Sequence, residues 1–419
     1  MSENNEIKEP LNKNNKVPKL RFKGFEEDWI LVNFYNHFTY FSTNSLSWDE
    51  LNYNSGDYLN LHYGIIHSIN SNLILSSSLP FINQDKLPKR FTLINEGDLI
   101  LADTSEDRKD AAKGIEIINQ SNAHILSGLH TIHLREKAPC TIPGFKTYYV
   151  ASKSFRNFTR KYCEGIKVFS IKPSLLKYTH FAYPQNKNEQ FMIVDFLNKI
   201  EDKKAILEKK IDILKKYKEG IKKYVMKDTI KFWKTGIGNA IELKNYLFEK
   251  NEYGVKNGLY PHITLSTEGI TDKSERYDRD FLVKNEDKKY KITHLNQLCY
   301  NPANLKFGVI CINKYGDGIF SPIYSTFDIN NIVIDYLELI ITSNDFINYS
   351  MKYQQGTVFE RMAVSSDDLC KIKIVTTSFD EQQRIAKVAD TLNKKISKLE
   401  DELLNLKHLK STLLNSMFI

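Results

Sequence analysis

EQFMIVDFLNKIEDKKAILEKKIDILKKYKEGIKKYVM, residues 189–226, and EQQRIAKVADTLNKKISKLEDELLNLKHLKSTLLNSMF, residues 381–418, align without a gap. Glu189-Gln190 falls on Glu381-Gln382, Leu207-Glu208 on Leu399-Glu400, and Leu214-Lys215 on Leu406-Lys407. Every seventh position is apolar in both copies: Ile193, Ile200, Leu207, Leu214, Ile221 and Ile385, Leu392, Leu399, Leu406, Leu413. The intermediate seam is looser, with Leu197, Lys204, Ile211, Lys218, Val225 in one copy and Ala389, Ile396, Leu403, Lys410, Met417 in the other. A seven-residue period sustained this long predicts two coiled-coil helices, each roughly 55 Å long at 1.5 Å per residue. One chain holding both can pair them with each other. The expected core is the seventh-position residues together with Ile211 and Leu403. If the pairing is antiparallel, the chain is a pseudo-twofold molecule with globular parts at opposite ends of a rod, able to touch two sites at a fixed separation.

Working outward, the chain reads as globular domain, helix, globular domain, helix. Residues 1–16 are polar, without the apolar stretch of a signal peptide, and are expected to be a disordered tail of a cytoplasmic protein. Residues 17–185 form a first domain, 186–231 a first spacer helix, 232–378 a second domain and 379–419 a second spacer helix. Each half opens near a tryptophan, Trp29 and Trp233. Local echoes follow in the same order: Asp98–Leu101 and Gln297–Tyr300 as buried strands, Ser127–His130 and Ser321–Tyr324, Gly165–Phe169 and Gly356–Phe359. Pro184 precedes the first helix, where Asn186 and Glu189 have capping-box spacing; Asp380 and Gln383 offer the same for the second. The fold class is therefore α+β, two mixed α/β domains separated and joined by two long helices.

With 419 residues there is room for two or three cores. Hydrophobic content of 41% and charged content of 26% suit a soluble protein, and no apolar run approaches a membrane span. The five cysteines lack CxxC spacing and read as buried free thiols. The net charge of +8 favours an acidic partner such as nucleic acid, although part of it is a lysine excess on the first helix.

At this point the chain resembles the specificity subunit of a type I restriction-modification enzyme over almost its whole length. The opening Val17–Phe25 through Trp29 is similar to that family's usual start. The two Glu-Gln helices resemble its conserved spacer regions, and Asn60–His67 and Ile100–Asp107 resemble a recurrent variety of its target-recognition domain. The resemblance implies a non-catalytic subunit in which each globular domain reads half of a split target in double-stranded DNA and the helices set the gap. It also implies two docked modification subunits, which use S-adenosylmethionine to methylate adenine, and two restriction subunits that use ATP and Mg. The second half departs from the pattern. It begins at Phe232-Trp233 without a repeat of Pro18–Phe22, and Val388-Ala389 replace Phe196-Leu197. The competing reading is a free-standing DNA-binding regulator or a coiled-coil scaffold.

Chemistry within the chain itself finds no support. Asn301-Pro302-Ala303-Asn304 lacks the second proline and the aromatic of an amino-methyltransferase motif. Glu286-Asp287-Lys288 has no upstream Pro-Asp to complete a nuclease centre, and no GxxxxGK[ST] cradles a nucleotide. His62 and His67 have no Cys/His partners to complete a metal set. Candidate DNA contacts are polar and basic clusters in loop-like segments. In the first domain these are Lys86, Lys89 and Arg90, then Thr104, Ser105, Arg108, Lys109 and Lys113. In the second they are Lys273, Arg276 and Arg279, then Asn301, Asn304 and Lys306, then Asn313, Lys314 and Tyr315. Off the helix seams, Tyr217 and Tyr224 are candidates for docking a partner subunit.

Overall fold

The computed structural model describes residues 17–68, 79–118, 123–255, 258–273, 289–355 and 362–419. It contains a 49-residue helix, Lys187–Thr235, and a 39-residue helix, Phe379–Met417. The chain divides into two compact units, Met1–Leu207 with Glu402–Ile419, and Glu208–Asp401. Each long helix thus contributes to both units. The polar tail, Arg276, Arg279, Glu286–Lys288 and Gly356–Phe359 lie outside the described residues.

The first unit is built on a four-stranded antiparallel sheet of Phe38–Phe41, Leu99–Ala102, Gly114–Glu116 and Thr131–Glu136. In sequence order its strands lie first, fourth, second, third. Leu99–Ala102 is an inner strand and every residue is buried, which is why it reads as a continuous apolar run. Two helices follow, Phe145–Ala151 and Lys153–Tyr162. Against them lies an aromatic core of Trp29, Phe34, Phe38, Phe145, Tyr149, Phe155 and Phe181. Burying each such ring contributes about 1.5–3 kcal/mol. A short antiparallel pair, Ile30–Asn33 with His180–Tyr183, brings the two ends of the domain together.

The second unit repeats this scaffold. Leu247–Lys250, Leu298–Tyr300, Ile310–Ile312 and Ser325–Ile329 form an antiparallel sheet in the same first, fourth, second, third order. Helices Ile334–Ile341 and Asn344–Ser350 follow, and Ile241–Glu242 pairs with Lys373–Ile374 at the domain's ends. The echoed segments occupy matching places: both apolar runs are inner strands, and Ser127–His130 and Ser321–Tyr324 both lead into the strand that pairs with them. The units differ in what is added. The first carries a sheet of Leu51–Asn52, Phe81–Ile82, Leu59–Leu61 and Ile125–Ser127. The second carries Tyr253–Gly254, Tyr290–Thr293 and Gly318–Phe320, with the hairpin Ile263–Ser266/Gly269–Asp272.

Several local expectations are corrected. The Asn186 side chain does cap the first helix, accepting from Asn188 N at 2.9 Å, but Glu189 turns away to other partners. At the second helix the cap is Ser378, whose hydroxyl accepts from Glu381 N at 3.4 Å, and Asp380 lies in the first turn. The first helix runs past residue 231 to Thr235 and ends at Gly236, whose positive φ suits glycine and whose N–H bonds Phe232 O. Trp233 therefore sits on the helix's last turn, stacked 3.7 Å from Tyr349, and does not repeat the role of Trp29.

Along the long helices Ile193, Ile200, Leu207, Ile211, Leu392, Leu406 and Leu413 are buried. Leu214, Ile221, Ile385, Leu399 and Leu403 are half-buried. The lysines that loosen the seam have a use in the first unit. Glu201, itself buried, is ion-paired with Lys204 at 2.6 Å and with Lys410 across to the other helix.

Candidate functional site

The repeated Glu-Gln dipeptide is a joint. Gln190 is fully buried; its Oε1 accepts from Ile142 N at 2.8 Å, and its Nε2 donates to Pro184 O at 2.7 Å and Cys140 O at 3.0 Å. Gln382 does the same work in the second unit, accepting from Val333 N at 3.0 Å and donating to Thr377 O at 2.9 Å. An amide is suited to this place because it presents a donor and an acceptor at one tip, satisfying buried backbone on two segments at once. The neighbouring glutamates differ. Glu189 receives Arg21 Nε and Nη2 at 2.7 and 2.8 Å and Trp29 Nε1 at 3.2 Å. This buried bidentate pair raises the Arg21 pKa and pins the opening Val17–Trp29 to the helix start. Among the described residues Glu381 pairs only with the exposed Arg384, at 3.5 Å. The motif Pro18–Phe22 with Trp29 is thus the partner of Glu189, and the second half lacks both.

The candidate DNA contacts fall into two groups. Lys86, Lys89 and Arg90 are exposed, and Lys86 and Arg90 line a groove of about 350 Å³ with Ser42–Leu46, Phe91 and Thr92. Arg108 and Lys109 are exposed beside the short pair Thr104–Ser105/Phe169–Ser170; Arg108 lies over the Phe169 ring and donates to Arg160 O at 3.1 Å. In the second unit Asn304 and Tyr315 are exposed, while Lys273 and Lys306 are half-buried.

The others are committed internally. Thr104 and Ser105 are buried, Thr104 bonding Asp103 at 2.6 Å and Ser105 accepting from Asp107 N at 3.1 Å. Lys113 donates to His67 O at 2.9 Å, and burial lowers its pKa. Asn301 caps the turn Ala303–Asn304, and Asn313 is fully buried, holding the turn Lys314–Gly316 through Tyr315 N and Gly316 N and bonding Thr293. Lys314 is paired with Asp335 and lies 3.8 Å from Glu338. These polar residues are engaged within their own loops. Polar composition alone does not separate a turn-former from a presented side chain. Among the histidines singled out, His62 is buried against Trp48 and accepts from Gly64 N, and His67 bonds Thr104 O.

Tyr217 and Tyr224 are 59% and 65% exposed, far more than any seam residue. Seven residues apart, they lie on one helix face and, with Gly220, Ile221, Glu381, Arg384, Ile385 and Val388, line a mainly apolar groove of about 430 Å³ in the second unit. Ile213, also exposed, extends the same face. Arg384 and Glu381 add a cation and an acid to its lining, and a Cβ at Gly220 meets nothing within 4 Å.

No protein-family model and no curated protein matches the sequence. Solved structures do. The S subunit of a type I restriction-modification system from M. genitalium is similar over 96% of this chain and 99% of its own, with a TM-score of 0.57 at 16% identity. The HsdS subunit from Thermoanaerobacter tengcongensis (TM-score 0.41, 14% identity, 93% and 96% covered) is also similar. So is a chain from a study of complex assembly and conformational transition in the type I R-M system (0.47, 12%, 92% and 96%). No helix among the described residues is long and apolar enough to cross a membrane. The end-to-end likeness to the M. genitalium structure and the duplicated scaffold agree: this chain has the fold of a type I restriction-modification S subunit.

Proposed function

We propose that this chain is the non-catalytic DNA-recognition subunit of a type I restriction-modification complex. Each sheet-based domain reads one half of a split double-stranded target. The long helices set the gap and dock two modification subunits that carry S-adenosylmethionine; two restriction subunits supply ATP- and Mg-dependent cleavage. The observation that carries the reading is the end-to-end likeness to the M. genitalium S subunit, matched by two Glu-Gln joints on one repeated sheet order. A duplicated scaffold bearing unlike additions suits two different half-sites.

The helices pair antiparallel as an intramolecular coiled coil. Supporting this, Lys203 meets Glu402 at 2.8 Å and Lys410 meets Glu201 in the first unit, while Lys215 meets Glu400 at 2.6 Å in the second. The exposed Lys86–Arg90 and Arg108–Lys109 clusters face DNA in the first domain, and Lys273, Asn304, Lys306 and Tyr315 do so in the second. Modification subunits dock on the apolar groove of Tyr217 and Tyr224.

Long-read mapping of methylated bases tests the whole reading, in a methylation-free host expressing this chain with its modification subunit. The expected result is a split motif with one methylated adenine on each strand, seen only when both proteins are present. An intact, soluble complex that leaves DNA unmethylated would favour a free-standing DNA-binding regulator or scaffold.

A further inference from the structure

Three side chains of different donor chemistry converge where the strand Thr131–Glu136 runs into its following turn. His37 ends the short helix Phe34–His37, Glu136 ends the strand, and Cys140 follows in the turn. His37 Nε2 lies 3.4 Å from Glu136 Oε1 and 3.4 Å from Cys140 Sγ, and Cys140 Sγ lies 3.2 Å from Glu136 Oε1. The three atoms form a nearly equilateral triangle, and all three residues are half-buried. Zinc bonded at about 2.0–2.1 Å to nitrogen and oxygen and about 2.3 Å to sulfur holds tetrahedral ligands about 3.3–3.6 Å apart. That is close to the edge length seen here. Imidazole, thiolate and a single carboxylate oxygen suit zinc; magnesium and calcium prefer oxygen ligands alone.

The surroundings orient the carboxylate as such a ligand. Its Oε2 accepts from Cys140 N at 3.3 Å and Thr141 N at 3.4 Å, and Lys146 Nζ lies 3.6 Å from it. Its Oε1 faces His37 and Cys140, steadied by the Thr141 hydroxyl at 2.9 Å. Outer groups of this kind fix ligand direction in metal sites. The Tyr183 side chain sits beside Cys140 at the edge of the group.

We propose that His37, Glu136 and Cys140 are three protein ligands of a zinc ion, with the fourth position open to water. Binding exchanges the Cys140 S–H for an S–Zn bond, and the proton leaves to solvent. The ion would brace the turn whose Cys140 carbonyl receives Gln190 and Lys187, so it reinforces the joint between the first domain and its helix. The matching turn of the second unit, Ile329–Val333, contains no Cys, His or carboxylate. The expected stoichiometry is one ion per chain.

The test uses the untagged full-length chain, stripped with chelator and titrated with Co²⁺ and then Zn²⁺. One equivalent of Co²⁺ should bind with a thiolate-to-metal charge-transfer band that Zn²⁺ abolishes, and Zn²⁺ should raise the melting temperature. Cys140→Ser should lose the band, and both it and His37→Gln should bind Zn²⁺ at least about 10-fold more weakly. Melting of each variant in chelator, compared with the stripped parent, reports whether the fold survives. Cys140→Ser is the conservative change if His37→Gln does not fold. Absence of the band from the folded parent, or Zn²⁺ affinity unchanged in Cys140→Ser, would overturn the proposal. The test needs no partner subunit, so its outcome is independent of the proposed function.

Discussion

At the residue scale, one buried amide in each unit performs a task no other side chain can take over. Replacing Gln190 with alanine strands Ile142 N–H and Pro184 O and takes one of two donors from Cys140 O, three hydrogen bonds in all; replacing Gln382 strands Val333 N–H and Thr377 O, two in all. Each orphaned buried group costs about 1–3 kcal/mol. Chemical denaturation should therefore show Gln190→Ala destabilising the chain more than Gln382→Ala. Asp98 is one source of pH dependence. It is buried, which raises its pKa, but Arg135 at 2.7 and 2.8 Å and His133 at 2.7 Å outweigh burial and hold it below the usual value. A carboxylate depressed in the folded state adds stability above its unfolded pKa of about 3.9, and that stability is lost as pH falls through the folded value. Asp98→Asn should cost about 3–5 kcal/mol at neutral pH. It should also flatten the acid limb of a melting-temperature-against-pH curve below about pH 4. An unchanged acid limb would show that other carboxylates dominate there.

At the element scale, the two long helices have the same period but different attachments. The first is tied to the chain's opening through Arg21, Trp29 and Glu189; among the described residues the second has no such clasp. Arg21→Ala leaves Glu189 buried without its cation and should cost about 3–5 kcal/mol. Arg384→Ala, on the exposed counterpart, should be nearly silent in the same melt. The groove beside Tyr217 offers a cleaner test of docking than deleting a ring. A Cβ at Gly220 meets nothing within 4 Å, so Gly220→Leu starts into the groove without a backbone clash and gains up to about 1 kcal/mol of helix propensity. Stability should hold or rise while co-purification of the modification subunit falls. Normal assembly by a folded Gly220→Leu chain would move the docking surface elsewhere.

At the scale of the whole molecule, two copies of one sheet order carry different additions. If each copy reads its own half-site, exchanging one domain's added strands and loops should change one half of the methylated motif and leave the other. Lengthening both long helices by one turn adds about 5.4 Å, and the mapped motif should widen by one or two base pairs at 3.4 Å each. A motif that keeps its spacing would remove the helices from the role of ruler.

The sequence by itself determined the two long helices and the duplication. A seven-residue apolar period and an ungapped repeat are local regularities, readable wherever neighbours along one chain must share a face. The buried strands Leu99–Ala102 and Leu298–Tyr300 were legible for the same reason, as unbroken apolar runs. Only the tertiary structure decided what the polar residues do. Thr104, Asn301 and Asn313 have the composition of a binding loop, yet their hydrogen bonds are taken by backbone and side chains around them. Glu189 has the spacing of a helix cap, but its partner Arg21 is brought beside it from 168 positions away. His37 and Cys140 are likewise separated by 103 positions and meet only because strand pairing and a turn place them together. Apolar periodicity reports burial one element at a time; polar roles depend on which donors and acceptors the fold brings within about 3 Å.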